Sequence, residues 1–226
     1  MKREITVALI GNPNSGKTTV FNSLTGAHQH VGNWPGVTVE RKEGRRLYKG
    51  HALRIVDLPG VYSLTAYSLD EIIARNFVVE ERPDVIVDVV DASNLERNLY
   101  LVVQLLEMGA PLVIALNMMD MVESRGMSID VNALSQLLGV KVVPMVASRD
   151  KGTQDLLEGI LAVAASPQSA NGFKISYGRE IDREIAKLEA LLSQTDLARR
   201  YLPKWLAIKL LEKDEDILKL LQEVRT

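Results

Sequence analysis

Gly11-Asn12-Pro13-Asn14-Ser15-Gly16-Lys17-Thr18 is the stretch that decides the fold. It follows an apolar run, Ile5 to Ile10, and opens a helix-like segment, Lys17 to Leu24. That strand–loop–helix setting is what a phosphate-binding loop requires. Its glycines let backbone N–H groups close around phosphate oxygens, and the helix N-terminus adds partial positive charge at the same point. Lys17 is expected to reach the β- and γ-phosphates, and the Thr18 hydroxyl to ligate Mg²⁺. Alone, the loop says only that a nucleoside triphosphate binds.

Outward from the loop, short apolar runs alternate with helix-like segments. Leu53–Val56, Val85–Val90, Leu112–Leu116 and Val140–Val146 read as strands buried on both faces of a parallel sheet, because their apolar character is continuous. Residues 69–80, 95–108, 131–138 and 154–164 read as helices between them. The alternation predicts a doubly wound α/β fold with a mostly parallel sheet. Thr38–Leu47 is more polar and is expected to be one antiparallel edge strand, joined to Leu53–Val56 by a turn at Tyr48–His51. The division is therefore a nucleotide-binding domain over 1–166, a linker over 167–176 rich in Ser, Pro, Gln, Asn and Gly, and a helical subdomain over 177–226. Ile181, Ile185, Leu188, Leu191 and Leu192 keep helical spacing there, as do Ile217, Leu220, Leu221 and Val224, with Asp214 as the expected N-cap of the last of three helices.

Further elements make the nucleotide a guanine one. Asp57-Leu58-Pro59-Gly60 ends a buried strand, where Asp57 can hold Mg²⁺ through a water and Gly60 can offer its N–H to the γ-phosphate. Asn117-Met118-Met119-Asp120 ends another, and a carboxylate at Asp120 can accept both N1–H and the exocyclic amine of guanine. Adenine offers no such pair, and an unmatched buried carboxylate is costly. Ala147-Ser148-Arg149 follows the last strand, where a backbone N–H can meet the guanine carbonyl. In Gly36-Val37-Thr38 the Thr38 hydroxyl can complete the Mg²⁺ shell while the γ-phosphate is present. The span from Ala27 to Val37 reads as an irregular, mobile switch, and Tyr62–Tyr67 as a second one. Val61 stands where many GTPases carry a water-positioning glutamine, which predicts slow intrinsic hydrolysis. Asn14 is the residue expected to help, by holding a monovalent cation beside the phosphates; the competing reading of Asn14 is a bond that stabilises the loop. Lys17, Asn14, Thr38 and Gly60 form the expected catalytic set.

The bulk numbers agree with a globular protein. At 226 residues, 46% are hydrophobic and 25% charged, with net charge −2 and no cysteine. Disulfides and thiolate chemistry are excluded, and a near-neutral chain has no electrostatic footprint for nucleic acid. No apolar run approaches the roughly 18 residues that a membrane span needs. No leader pattern opens the chain, so nothing suggests export. His28 and His30 lack a nearby third ligand and read as polar loop residues.

Together, residues 11–18, Asn-Trp-Pro-Gly-Val-Thr-Val-Glu at 33–40, Asp-Leu-Pro-Gly-Val-Tyr-Ser-Leu at 57–64 and Asn-Met-Met-Asp at 117–120 closely resemble the cytosolic G-protein domain of FeoB-type ferrous iron transporters. Met118, where GTPases in general have lysine, fits this family better. The resemblance implies a GTPase that binds GTP or GDP with Mg²⁺, with hydrolysis stimulated by K⁺ through the position of Asn14. It also implies a helical subdomain that restrains nucleotide release, and a following membrane domain that moves Fe²⁺. On that reading these 226 residues are a soluble N-terminal fragment belonging at the cytoplasmic face of the cell membrane. Its expected partners are its own membrane domain, a small accessory protein of the same uptake system and further copies of the full-length protein. Ribosome- and RNA-assembly GTPases share this form of loop. However, residues 171–226 carry 11 basic and 10 acidic side chains, a balance unlike a basic RNA-binding module. A non-catalytic nucleotide sensor is the third reading, supported by Val61.

Overall fold

The computed structural model describes residues 4–26, 29–65, 67–166 and 175–223. In chain order the elements are β1 (Ile5–Gly11), α1 (Lys17–Thr25), β2 (Gln29–Asn33), β3 (Glu40–Tyr48), β4 (His51–Asp57), α2 (Leu69–Asn76), β5 (Val85–Asp91), α3 (Leu95–Glu107), β6 (Leu112–Asn117), α4 (Met119–Ser124), α5 (Val131–Leu138), β7 (Lys141–Pro144), α6 (Thr153–Ala165), α7 (Arg179–Leu192), α8 (Pro203–Leu211) and α9 (Glu215–Glu223). One seven-stranded sheet has the order β2-β3-β4-β1-β5-β6-β7. The pairings β4–β1–β5–β6–β7 are parallel, whereas β3 pairs antiparallel with both β2 and β4.

Burial explains why the sequence reveals this sheet. Val7 and Leu9 pack with Val20, Phe21 and Leu24 of α1 and Leu156 and Ile160 of α6 on one face. Ala8, Ile10, Ile86 and Ile114 pack with Leu101 and Leu105 of α3 and Leu134 and Leu138 of α5 on the other. A strand covered on both sides needs apolar residues at every position, which is the continuous pattern in the sequence. The turn between β3 and β4 places Lys49 at φ 46° and Gly50 at φ 75°, the positive angles that a two-residue hairpin demands.

The antiparallel edge is wider than expected. Gln29–Asn33 forms β2 outside β3, so the irregular reading of 27–37 does not hold over those five residues. All five are exposed, so no apolar period marks the strand. Ala27 and His28, like most of the expected linker (167–174), lie outside the described residues. His30 is exposed on β2.

The helical subdomain has its own core around Trp205, Leu206, Ile208, Ile185, Leu192 and Ile217. Asp214 does cap α9, accepting from the Ile217 N–H at 3.2 Å. Contacts tie this subdomain to the sheet domain. Arg75 of α2 reaches Asp214 at 3.2 Å and Asp216 at 2.6 Å, and Met108 packs against both cores. Arg82 donates to the Arg199 carbonyl at 2.8 Å, and Arg200 pairs with Glu80 at 2.6 Å. Gly109 lies so close to Leu202 that a Cβ there would stand 2.6 Å from its Cδ1. Burial pushes the Glu107 carboxyl up to about 7, although Lys209 and Lys204 pull it down.

One residue breaks the apolar pattern of the central strand. Asp88 pairs in register with Ile10 and Ile114, is fully buried, and neither carboxylate oxygen has a hydrogen-bond partner among the described residues. Burial holds its carboxyl well above the ordinary 3.8, so the native chain keeps a proton there that the unfolded chain releases. Stability contributed by this site is full below the ordinary carboxylate range and declines as pH rises above it. Asp88→Val is expected to raise unfolding free energy near pH 7 by about 1–3 kcal/mol. Urea unfolding at about pH 5 and about pH 8 should show a shallower pH dependence in Asp88→Val and in Asp88→Asn than in the parent. An unchanged slope in both variants would show that Asp88 is ionised in the fold.

Candidate functional site

The site lies at the C-terminal ends of the parallel strands, where ligands bind in open α/β sheets. Gly11 closes β1 with its Cα against β5, since a Cβ there would stand 2.6 Å from the Val89 carbonyl oxygen. Asn14 and Gly16 take the left-handed conformation at φ 68° and 85°. These turns bring Lys17 to the start of α1, with Asn14 exposed on the loop and Thr18 exposed beside Lys17. Asn12 and Ser15 are buried, and the Asn12 amide and the Ser15 hydroxyl have no partner among the described residues. Buried polar groups are ordinarily satisfied, so such a cluster in a loop suits a ligand that supplies the missing acceptors and donors.

Lys17 pairs with Asp57 at the end of β4, the two side chains being 12% and 10% exposed. Burial raises the Asp57 carboxyl above its ordinary value, and the Lys17 ammonium beside it pulls it back. The chain then runs directly over the phosphate loop. Leu58 N–H donates to the Leu9 carbonyl at 2.9 Å and Val61 N–H to the Gly11 carbonyl at 3.2 Å. Gly60 faces Pro13, where a Cβ would sit at 3.6 Å. Leu58 and Val61 turn their side chains into the core, so Val61 presents neither polarity nor a side chain to the site.

Asn117 joins the phosphate loop to the expected guanine loops. Its amide donates to the Ser15 carbonyl at 3.0 Å and its oxygen accepts from the Ala147 N–H at 3.0 Å. Each end of this side chain thus makes one bond to protein, so Asn117 is a latch that sets the spacing of three loops. Gly16 is compelled by the same contact, since a Cβ would stand 2.3 Å from the Asn117 amide nitrogen. Met118 adopts φ 62°, turning the chain so that Asp120 lies in the first turn of α4. Asp120 sits 3.8 Å from the Arg149 guanidinium. On the last turn the Ala147 N–H is held by Asn117 and the Arg149 N–H by the Val146 carbonyl at 2.9 Å, which leaves Ser148 exposed between them.

The first switch segment forms a turn between β2 and β3. Trp34 N–H donates to the Val39 carbonyl at 2.9 Å and Val37 N–H to the Trp34 carbonyl at 3.2 Å, closing a turn with Gly36 at φ 76°. Val37 packs against the core, and among the described residues no hydrogen bond joins Thr38 to Thr18 or Asp57. Trp34 is buried edge-on against Phe77 at 5.6 Å under the Arg41 guanidinium, which is local packing.

The segment after Gly60 depends on two residues outside the nucleotide motifs. Glu71 accepts from the Ser63 hydroxyl at 2.5 Å and from the Tyr67 and Ser68 N–H groups, while Ser68 caps α2 in return at 3.2 Å. Gln104 of α3 accepts from the Leu64 N–H at 2.7 Å. Ser68-x-x-Glu71 is a capping-box spelling, which could have revealed the first; Gln104 carries no sequence signal.

Comparison with known proteins agrees with this geometry. The family described as Ferrous iron transport protein B matches residues 5–160, and the FeoB cytosolic helical domain matches residues 177–225. The Fe(2+) transporter FeoB of Salmonella choleraesuis (strain SC-B67) is 48% identical over 94% of this chain, which spans only 27% of that protein's length. The cytosolic domain of the T. maritima FeoB iron transporter superposes in its GDP form II with a TM-score of 0.93 at 38% identity, covering 98% of this chain and 87% of that one. Its GMPPNP form gives 0.91 at the same identity, covering 97% and 86%. The two family matches, the sequence identity to full-length transporters and the shared fold of both subdomains place this chain in the FeoB family of ferrous iron transport proteins.

Proposed function

We propose that the chain is a GTP-binding and GTP-hydrolysing domain that stands on the cytosolic side of an Fe²⁺ transporter and regulates it through a membrane domain. The observation that carries this reading is the Asn117 latch, which brings the phosphate loop, the Asp120 turn and the Ala147–Arg149 turn to one strand end. The relatives support the assignment: the T. maritima domain has been solved with GDP and with GMPPNP.

On this reading the N–H groups of residues 11–18 cradle the phosphates, and Lys17 exchanges Asp57 for phosphate oxygens. Asp120 reads the guanine edge, and Ser148, whose neighbours' N–H groups are engaged, donates to the guanine carbonyl. Asn117, Ala147 and Arg149 position that pocket. The oxygen ligands Thr18, Thr38 and, through water, Asp57 suit a hard divalent cation. Bound Mg²⁺ supplies neutralisation of charge developing across the β- and γ-phosphates. The Thr38 hydroxyl, on the turn between β2 and β3, would complete the Mg²⁺ shell only while the γ-phosphate is present, which is how a switch distinguishes GTP from GDP. Hydrolysis is attack of water on the γ-phosphorus with cleavage of the bond to the bridging oxygen, giving GDP and phosphate. Val61 cannot orient that water, so the Gly60 N–H takes the stabilising role, and Asn14 would hold a monovalent cation that would supply further positive charge there. The helical subdomain restrains nucleotide release through its contacts with α2.

Turnover measured in K⁺ and in Na⁺, with ATP as specificity control, tests the reading. GTP is expected to be cleaved faster in K⁺ and ATP not at all. Asn14→Ala should keep GDP affinity and lose the K⁺ stimulation, a fall in turnover on the order of 10²–10³ if the cation replaces one strong transition-state contact. Equal K⁺ and Na⁺ rates in the parent would remove the cation from the mechanism, and no turnover above buffer would leave a nucleotide sensor.

A further inference from the structure

Backbone N–H groups of Leu58, Val61 and Leu64 hold the chain that leaves β4. Leu58 donates to the Leu9 carbonyl at 2.9 Å and Val61 to the Gly11 carbonyl at 3.2 Å, both on the strand that feeds the phosphate loop. Leu64 instead donates at 2.7 Å to a side chain, the amide oxygen of Gln104 on α3. Gly60 thus lies between the Leu58 and Val61 anchors, and Gln104 fixes the chain just beyond them. Val61 and Leu64 are 3% and 0% exposed and belong to the same core as Leu101 and Leu105 of α3.

Gln104 is out of character with its surroundings. It is buried on α3 among Leu101, Val102, Leu105 and Leu106. A buried amide is costly unless it is hydrogen-bonded, and an apolar residue in its place would leave the buried Leu64 N–H unmade. The helix that carries Gln104 is a fixed post. It packs on β5 and β6, and Met108, one turn further along the same face, reaches the core of the helical subdomain. Donors that stabilise developing charge have to be held in place beforehand, by groups that packing has itself locked.

We propose that Gln104 is a positioning residue for hydrolysis: by holding the Leu64 N–H it fixes residues 60–64 so that the Gly60 N–H meets the γ-phosphate. This role rests on the GTPase reading given above. GDP has no γ-phosphate, so Gln104 acts on GTP binding and turnover and leaves GDP affinity alone.

Gln104→Met keeps the length of the side chain and removes the acceptor, whereas Gln104→Glu keeps an acceptor with or without a proton. In Gln104→Met, kcat and the affinity for GMPPNP relative to GDP are each expected to fall about tenfold, the ratio that 1.4 kcal/mol sets, with GDP affinity unchanged. Gln104→Glu should regain most of both. Without nucleotide, the Leu64 amide of Gln104→Met should exchange with solvent at least about tenfold faster than in the parent. Parent-like kcat and a parent-like GMPPNP-to-GDP ratio in Gln104→Met would overturn the proposal even if its melting temperature fell, since a merely structural bond does that. Equal losses in the two variants, or unchanged Leu64 exchange, would overturn it as well. A parent that does not cleave GTP would defeat the GTPase reading and the positioning role with it, while the exchange result would still decide whether Gln104 anchors Leu64.

Discussion

Asp120→Ala is expected to lower the affinity for GTP and GDP by roughly 10²–10⁴ while leaving weak ATP binding where it is. Two hydrogen bonds to a charged acceptor are worth about 1.5–3 kcal/mol each, and each 1.4 kcal/mol is a decade in affinity. The side chain is available for this, because its ionic neighbour, Arg149, stands 3.8 Å away on an exposed side chain. The loss should appear as faster dissociation in competition titrations with a fluorescent guanine nucleotide. Asp120→Asn sharpens the test, since it offers a donor where guanine also has donors and should bind xanthine nucleotides better than guanine ones. Parent-like GTP affinity in both variants would mean that the base is read elsewhere, and the assignment of the 117–120 turn would fall with it.

Arg75→Ala should destabilise the docked helical subdomain by about 3–5 kcal/mol, because it leaves Asp214 buried without its counter-charge. The Arg75 and Asp214 side chains are 7% and 4% exposed, so water cannot replace the lost partner, whereas Asp216 is more open. Asp214 also caps α9, so the effect should spread along that helix. Denaturant unfolding followed by far-UV circular dichroism, with hydrogen exchange over residues 203–223, reads both consequences. Arg75→Leu combined with Asp214→Asn should recover most of the stability, because asparagine keeps the cap and removes the buried charge. A loss below about 1 kcal/mol in Arg75→Ala would show that the pair is hydrated in solution, as exposed ion pairs are.

Much of the molecule is legible in its amino-acid pattern. Helices 69–76, 95–107, 131–138 and 153–165 fall within a residue or so of their apolar periods, apart from the π-turn that takes over from Phe77. The phosphate loop, the Asp57 strand end and the Asp120 turn are legible because their chemistry is local: a glycine, a hydroxyl or a carboxylate at a fixed offset from a buried strand. What escapes is of another kind. β2 carries no apolar period because neither of its faces is buried. Short α4 begins at a left-handed Met118, which no propensity favours.

The sequence by itself determined the doubly wound fold, the triphosphate loop and the expectation of guanine, since strand burial and short-range motif chemistry are written in consecutive residues. Tertiary structure alone decided how those motifs meet. Asn117 spends one N–H on Ser15 and one oxygen lone pair on Ala147, 102 and 30 residues away, and so ties the loops together. Arg75 finds Asp214 139 residues on, and Asp88 finds no hydrogen-bond partner among the described residues. Such roles depend on which side chains a closed core brings within hydrogen-bond reach, and no spacing along the chain encodes that distance.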